Sequence, residues 1–140
     1  GCEDFLTDLG GDKGEHFETL HVPRAKISMA AKASGIVAID TVHVNVHDLD
    51  DLEKNLRIAK SLGFEGMLVL HPKEIELVHK YFSPTPEEIA HSRLILELAQ
   101  DAERDGKGVA ILDGKFVGPP FIDKAKKILS RHRQIEGTKK

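Results

Sequence analysis

The chain has no Trp, one Cys and only 5% aromatic residues among its 140 positions. Without Trp and with few rings, it lacks the stacking platform used to bind single-stranded nucleic acid. The lone Cys2 excludes an internal disulfide and fits a reducing compartment, so a cytoplasmic location is the expectation. With no histidine beside it in sequence, Cys2 is a poor candidate for a nucleophile. Long apolar runs are missing too. A stretch such as Gly35-Ile36-Val37-Ala38-Ile39 is far too short to span a bilayer, so no membrane association is expected. No signal-peptide pattern is visible, and the first residue is Gly, as processing, a tag or excision from a longer chain would leave it. An excess of positive charge is also lacking. The formal net charge is −3 and the pI about 6.2, which leaves no basic field for a phosphate backbone and speaks against a nucleic-acid partner.

What remains is an ordinary soluble balance, 40% apolar and 31% charged, in a length that suits one domain with a real core. Residues 1–22 are rich in Gly, Asp and His and read as a strand end followed by a long loop. Pro23 to Ser34 has helix punctuation, Pro near its start and Gly35 after its end, with many small residues between. Gly35 to Val42 is a short apolar run that predicts a strand buried on both faces. Asp50 to Leu62 predicts an amphipathic helix capped by Asp48 or Asp50 and closed by Gly63. Phe64 to Leu70 predicts a second buried strand, and a helix follows from Pro72 to about Tyr81. Alternating strands and helices with short loops imply a parallel α/β arrangement, whose chemistry sits at the carboxyl ends of strands.

From residue 83 the character changes. Thr85 and Glu88 form a capping box for a helix running to about Asp105, ended by Gly106 and Gly108. Val109 to Leu112 and Lys115 to Val117 flank Asp113-Gly114, which predicts a tight hairpin broken by Pro119-Pro120. Phe121 to about Arg133 predicts a last helix with a frayed polar tail, and the charges at Arg131-His132-Arg133 and Lys139-Lys140 are expected to be solvated. The expected organisation is therefore 1–82 and 83–140.

Three expected strand ends carry polar residues: Glu3-Asp4, Asp40-Thr41 and His71. A carboxylate at such a place is a hard oxygen ligand suited to Mg²⁺. Neighbouring strand residues point to opposite faces, so only one of Glu3 and Asp4 would reach a metal; the alternative is a solvated loop acid. Asp40 is either a site residue or a buried acid bonded to the following backbone. His71 is either a substrate contact or a tie between strand and helix. His43-Val44-Asn45-Val46-His47, if extended, would put three polar groups on one face, but no third strong metal ligand lies nearby. No phosphate-loop or dinucleotide glycine pattern is present.

Taken together, several strings resemble the citrate lyase β-subunit family, which includes malyl-CoA and citramalyl-CoA lyases and is related to the HpcH/HpaI aldolases. Gly1-Cys2-Glu3-Asp4-Phe5 with Asp8-Leu9-Gly10 is similar to its GxEDF…DLG motif. Gly35 to Val42 resembles its seventh barrel strand, and Gly63-Phe64 through Leu70-His71-Pro72 its eighth. Phe82-Ser83-Pro84-Thr85-Pro86-Glu87-Glu88-Ile89 is similar to its FSPT-EEI turn, and Gly106 to Gly118 to its hairpin.

The resemblance implies the C-terminal part of a (β/α)8 TIM barrel: the end of strand six, strands seven and eight, and a helix-hairpin-helix extension. A full barrel takes about 250 residues, so the earlier strands, with a second Mg²⁺-ligating Glu and an oxo-acid-gripping Arg, would lie outside this chain. The implied reaction is Mg²⁺-dependent cleavage of a 3-hydroxyacyl thioester, of CoA or an acyl-carrier protein, to an acetyl thioester and a 2-oxo acid. The implied assembly is a homo-oligomer, trimer or hexamer. Asp4 matches the metal-ligand position, and Glu3, Asp40 and His71 are the substrate-side candidates. One departure stands out. Where the family hairpin carries an Asp used in proton transfer, this chain has Gly118. The alternative expectation is thus a non-catalytic thioester-binding or oligomerisation module derived from such a lyase.

Overall fold

The computed structural model describes residues 1–107 and 109–138. Gly108, expected to help end a helix, and Lys139-Lys140 lie outside the described residues. The chain divides into two compact units, Gly1–Phe82 and Ser83–Lys140.

In the first unit the order is α1 (Cys2–Leu9), α2 (Glu18–Ala33), β1 (Ile39–Asp40), α3 (Leu49–Ser61), β2 (Gly66–Met67), a 3-10 turn (Pro72–Glu74) and α4 (Ile75–Phe82). The α1 helix corrects the expectation of a strand end and a loop over 1–22. Cys2, Phe5, Leu6 and Leu9 recur at helical spacing, and Leu6 packs with buried Phe17 and Leu20. Gly10, in the left-handed region at φ 75°, stops the helix. The next helix starts at Glu18 rather than Pro23. Its N-cap Phe17 also has a left-handed backbone (φ 61°), a strained conformation held by burial of its ring.

β1 and β2 pair in parallel, with Ile39 opposite Gly66 and Asp40 opposite Met67. Backbone bonds from Glu65 N–H to Ala38 C=O (2.9 Å) and from Leu68 N–H to Asp40 C=O (3.1 Å) extend the pairing on either side. One face of the pair carries Ala38 and Met67 into a core with Ala31, Leu52, Leu56, Ala59, Phe64 and Val78. The other face does not follow the expectation of strands buried on both sides. Strand alternation puts Val37, Ile39, Leu68 and Leu70 on it, and all four are 49–58% exposed. The regular strands are also only two residues long. Both facts have one cause: among the described residues, neither a further strand nor a second layer joins this sheet.

The first turn of α3 is capped by Asp48, whose carboxylate accepts the Asp51 N–H at 2.9 Å. Where α3 meets the segment of α4, Tyr81 donates its hydroxyl to Glu53, and the Arg57 guanidinium reaches both Tyr81 (3.0 Å) and Glu53 (3.1 Å).

The second unit is α5 (Pro86–Arg104), a hairpin of β3 (Ala110–Leu112) and β4 (Lys115–Val117), and α6 (Pro119–Thr138). Thr85 accepts the Glu88 N–H at 3.1 Å while Glu88 accepts the Thr85 N–H at 2.9 Å, a complete capping box. The hairpin turns on Asp113 (φ 49°) and Gly114 (φ 72°), the pair of left-handed residues that a two-residue turn matched to strand twist requires. α6 begins at Pro119 instead of Phe121, because proline is tolerated in the first turn, where its missing N–H has no partner to lose. It also runs on to Thr138, past the expected end near Arg133. Ile95, Ala110, Val117 and Ala125 form the core of this unit.

Replacing Thr85 by Ala should lower the stability of the second unit by about 1 kcal/mol, read as a shift in its urea midpoint with an unchanged slope.

Candidate functional site

α1 presents Glu3 and Asp4 in its first turn, both exposed to solvent. The placement suits helix electrostatics, since carboxylates are favoured near the positive end of the backbone dipole. Adjacent residues on a helix point about 100° apart, so the two acids diverge, though not to opposite faces as a strand would set them. Asp4 lies against Gly1, where a Cβ would collide with its carboxylate. Glu3 approaches the Cys2 thiol at 3.7 Å, and its carbonyl accepts the Thr7 hydroxyl at 2.9 Å. Among the described residues no group of three or more His, Cys, Asp or Glu side chains is arranged to hold a metal ion. Asp4 therefore offers an accessible hard oxygen donor that, among the described residues, no second and third ligand joins.

Asp40 is only 2% exposed, and its carboxylate is fully engaged. One oxygen accepts the Thr41 N–H at 2.9 Å and Arg24 Nε–H at 3.3 Å; the other pairs closely with Arg24 Nη2. Arg24 is itself 4% exposed, and its Nη1 has no hydrogen-bond partner among the described residues. Sequence reasoning missed this arginine. A signal existed: Leu20, Arg24, Ser28 and Ala31 form the buried stripe of α2 at spacings of four, four and three. A cation inside such a stripe calls for a buried anion.

His71 precedes the 3-10 turn and caps it. Its Nδ1 accepts the Lys73 N–H at 3.2 Å. The same corner holds Glu74, fully buried, whose Oε2 accepts the N–H groups of Leu70 (2.8 Å) and His71 (3.0 Å). Glu74 was not anticipated either, because a charged residue three positions after a strand end looks solvated in sequence. The His71 ring faces that of His47 at 6.3 Å between centroids. His47 lines a shallow open depression of about 490 Å³ with Asn45, Asp48, Leu49 and Asp50. His43, which shares the HVNVH string with His47, is instead buried, so the string does not place its polar groups on one face.

Glu53 is held below the usual carboxylate range, first by the Tyr81 hydroxyl and then by Arg57. A depressed carboxylate contributes stability above the unfolded value and loses it as pH falls through the folded one. This contribution should vanish on acidification below the ordinary Glu range.

The model of the family described as HpcH/HpaI aldolase/citrate lyase matches residues 1–72. The chain belongs to that family. Citrate lyase subunit beta of Haemophilus influenzae is 38% identical over 131 residues, covering 94% of this chain and 45% of the relative. The mitochondrial citramalyl-CoA lyase of Rattus norvegicus is 32% identical over 136 residues, covering 97% and 40%. Among solved structures, the CitE protein of Mycobacterium tuberculosis in complex with magnesium, acetoacetate and coenzyme A superposes with a TM-score of 0.75 at 30% identity, covering 94% of this chain and 49% of that one. The chain thus spans about half the length of the relatives it matches. Within this citrate lyase family, mixed α/β architecture is common to the relatives' fold and to the two units described above.

Two outcomes follow from the site. Replacing Arg24 by Met leaves Asp40 buried without its cation and should cost about 3–5 kcal/mol, measured by urea denaturation. Replacing Tyr81 by Phe removes the principal cause of the Glu53 shift. Its carboxyl titration, followed by NMR, should move up toward the ordinary value.

Proposed function

We propose that this chain is the C-terminal portion of a Mg²⁺-dependent carbon–carbon lyase acting on a 3-hydroxyacyl thioester of CoA or an acyl-carrier protein. In this reading residues 1–82 are part of a (β/α)8 barrel. α1 follows the end of strand six, β1 is strand seven and β2 is strand eight, while 83–140 is a helix-hairpin-helix extension. The observation that carries the reading is the parallel β1–β2 pair, with Val37, Ile39, Leu68 and Leu70 exposed on one face. Parallel strands are stable when both faces are covered, and the interior of a closed barrel would cover this one. Family membership and half-length coverage of the relatives support the same conclusion.

The 3-hydroxyl gives up its proton, the C2–C3 bond breaks, and C3 becomes the carbonyl of a 2-oxo acid. The electron pair stays on the thioester α-carbon, whose enolate takes a proton to give the acetyl thioester. Mg²⁺ would serve as Lewis acid and orienting template for the oxo-acid oxygens; the related M. tuberculosis protein holds magnesium, acetoacetate and coenzyme A. Asp4 is the proposed metal ligand in this chain, its partner ligand lying beyond residues 1–140. Glu3 and His71 stand on the substrate side. Asp40, its oxygens taken by Arg24 and the Thr41 N–H, shapes the strand end beside them. The complete protein is proposed to be a homo-oligomer, trimer or hexamer.

Gly118 favours a second reading, a non-catalytic thioester-binding or oligomerisation module. A Cβ at 118 would come within 2.5 Å of Phe116 Cε1, so the Phe116 ring occupies the space that a side chain at 118 needs. In the complete protein, Gly118→Asp combined with Phe116→Ser should raise turnover if the missing acid limits catalysis; no gain supports the module. The purified 140-residue chain should show no Mg²⁺-dependent cleavage of citramalyl- or malyl-CoA. Measurable turnover by it would overturn the assignment of half the site to residues beyond 1–140. In the complete protein Asp4→Asn should raise the Mg²⁺ concentration needed for half-maximal rate about tenfold or more, and an unchanged requirement would remove Asp4 from the metal site.

A further inference from the structure

Residues 10–14 join α1 to the turn before α2, and both ends of this segment are glycines in the left-handed region, Gly10 at φ 75° and Gly14 at φ 71°. Such positions are natural hinges, because backbone rotation there meets no Cβ. Between them, Lys13 reaches across to α3, where its Nζ lies 2.9 Å from Asp51 Oδ2. Its ammonium also sits 4.9 Å from the centre of the Phe17 ring. The Lys13 side chain is 44% exposed, and ion pairs that wet are weak.

The same carboxylate oxygen has a second suitor. His43 Nε2 lies 3.8 Å from Asp51 Oδ2, too far for a hydrogen bond. His43 is only 4% exposed, and Nε2 has no partner among the described residues. A buried ring nitrogen left without a partner is costly, whereas an exposed lysine released from a carboxylate is at once solvated by water. A shift of about 1 Å would bring the Asp51 carboxylate into hydrogen-bond range of His43. One carboxylate thus holds a weak, solvent-exposed partner and lies within about 1 Å of hydrogen-bond range of a buried nitrogen that has none among the described residues.

We propose that Lys13 and His43 exchange at the Asp51 carboxylate, so that residues 10–14 form a glycine-hinged strap, latched when Lys13 holds Asp51 and released when His43 takes it. The strap links the helix that carries Asp4 to the helix that carries Arg24, so its release loosens one end of each. The device stands on contacts within this chain and does not depend on the proposed lyase activity.

Trypsin reports the latch directly, since Lys13 must leave Asp51 to enter the protease. Under limiting protease, cleavage of the Lys13–Gly14 bond tracks the released population. Asp51→Asn should raise that cleavage severalfold in the full chain. His43→Phe removes the competing partner and should lower it severalfold, and should have no effect once Asp51→Asn is present. Cleavage at Lys54, inside α3, measures general unfolding and normalises each variant. A normalised Lys13–Gly14 rate that is the same in wild type and His43→Phe overturns the exchange. A second readout leaves His43 in place. In Lys13→Met the ¹⁵N resonance of His43 Nε2 should move as it gains the Asp51 hydrogen bond, and an unmoved resonance also overturns the proposal.

Discussion

Two opposite charges lie almost completely out of water where α2 meets the end of β1, and the first unit is organised around them. Removing a guanidinium and a carboxylate from water costs several kcal/mol per ion, so the pair is tolerable only with close geometry and additional hydrogen bonds. Asp40 has these: Arg24 grips both oxygens, and the Thr41 backbone supplies a further donor. Arg24 Nη2 also leans toward the Asn55 carbonyl of α3 at 3.5 Å. One charged contact therefore fixes a helix, a strand end and the next helix. The small residues that flank Arg24 on its stripe, Ser28 and Ala31, let the helix approach closely enough for the contact to form.

The same economy governs the other polar residues at strand ends. His71 Nδ1 and Glu74 Oε2 accept from the backbone at the corner after β2, where the chain leaves the sheet and its N–H groups need partners. Side chains that look chemical in sequence are here the ties that shape this corner. Asp4 differs, since it lies exposed on α1 with its carboxylate turned back over Gly1.

Much of the fold was legible because local signals are strong where they are chemical. Asp48 as a cap, Thr85 with Glu88, and Asp113-Gly114 as a turn all follow from short-range hydrogen bonding or from backbone sterics. Over residues 1–22 the helix Cys2–Leu9 departs from the expected strand end because the Gly and Asp content masks the helical spacing of Cys2, Phe5, Leu6 and Leu9. The start of α2 was misplaced because Pro23 looked like a first-turn residue. In the structure the buried ring of Phe17 sets where that helix begins, an anchor supplied by Leu6 and Leu20 from flanking segments.

By itself the sequence determined the family, the α/β alternation, and the caps and turns, and it named polar candidates whose roles it left open. All of these are written in short strings, and short strings need no partner distant in the chain. Only the tertiary structure decided what those residues are doing. That Asp40 is saturated by Arg24, that Glu74 is buried, that Lys13 and His43 converge on Asp51, and that Phe116 covers Gly118 depend on contacts through space. Burial and hydrogen-bond partnership are properties of packing, and the same carboxylate is a ligand, a cap or half of an ion pair according to what the fold brings against it.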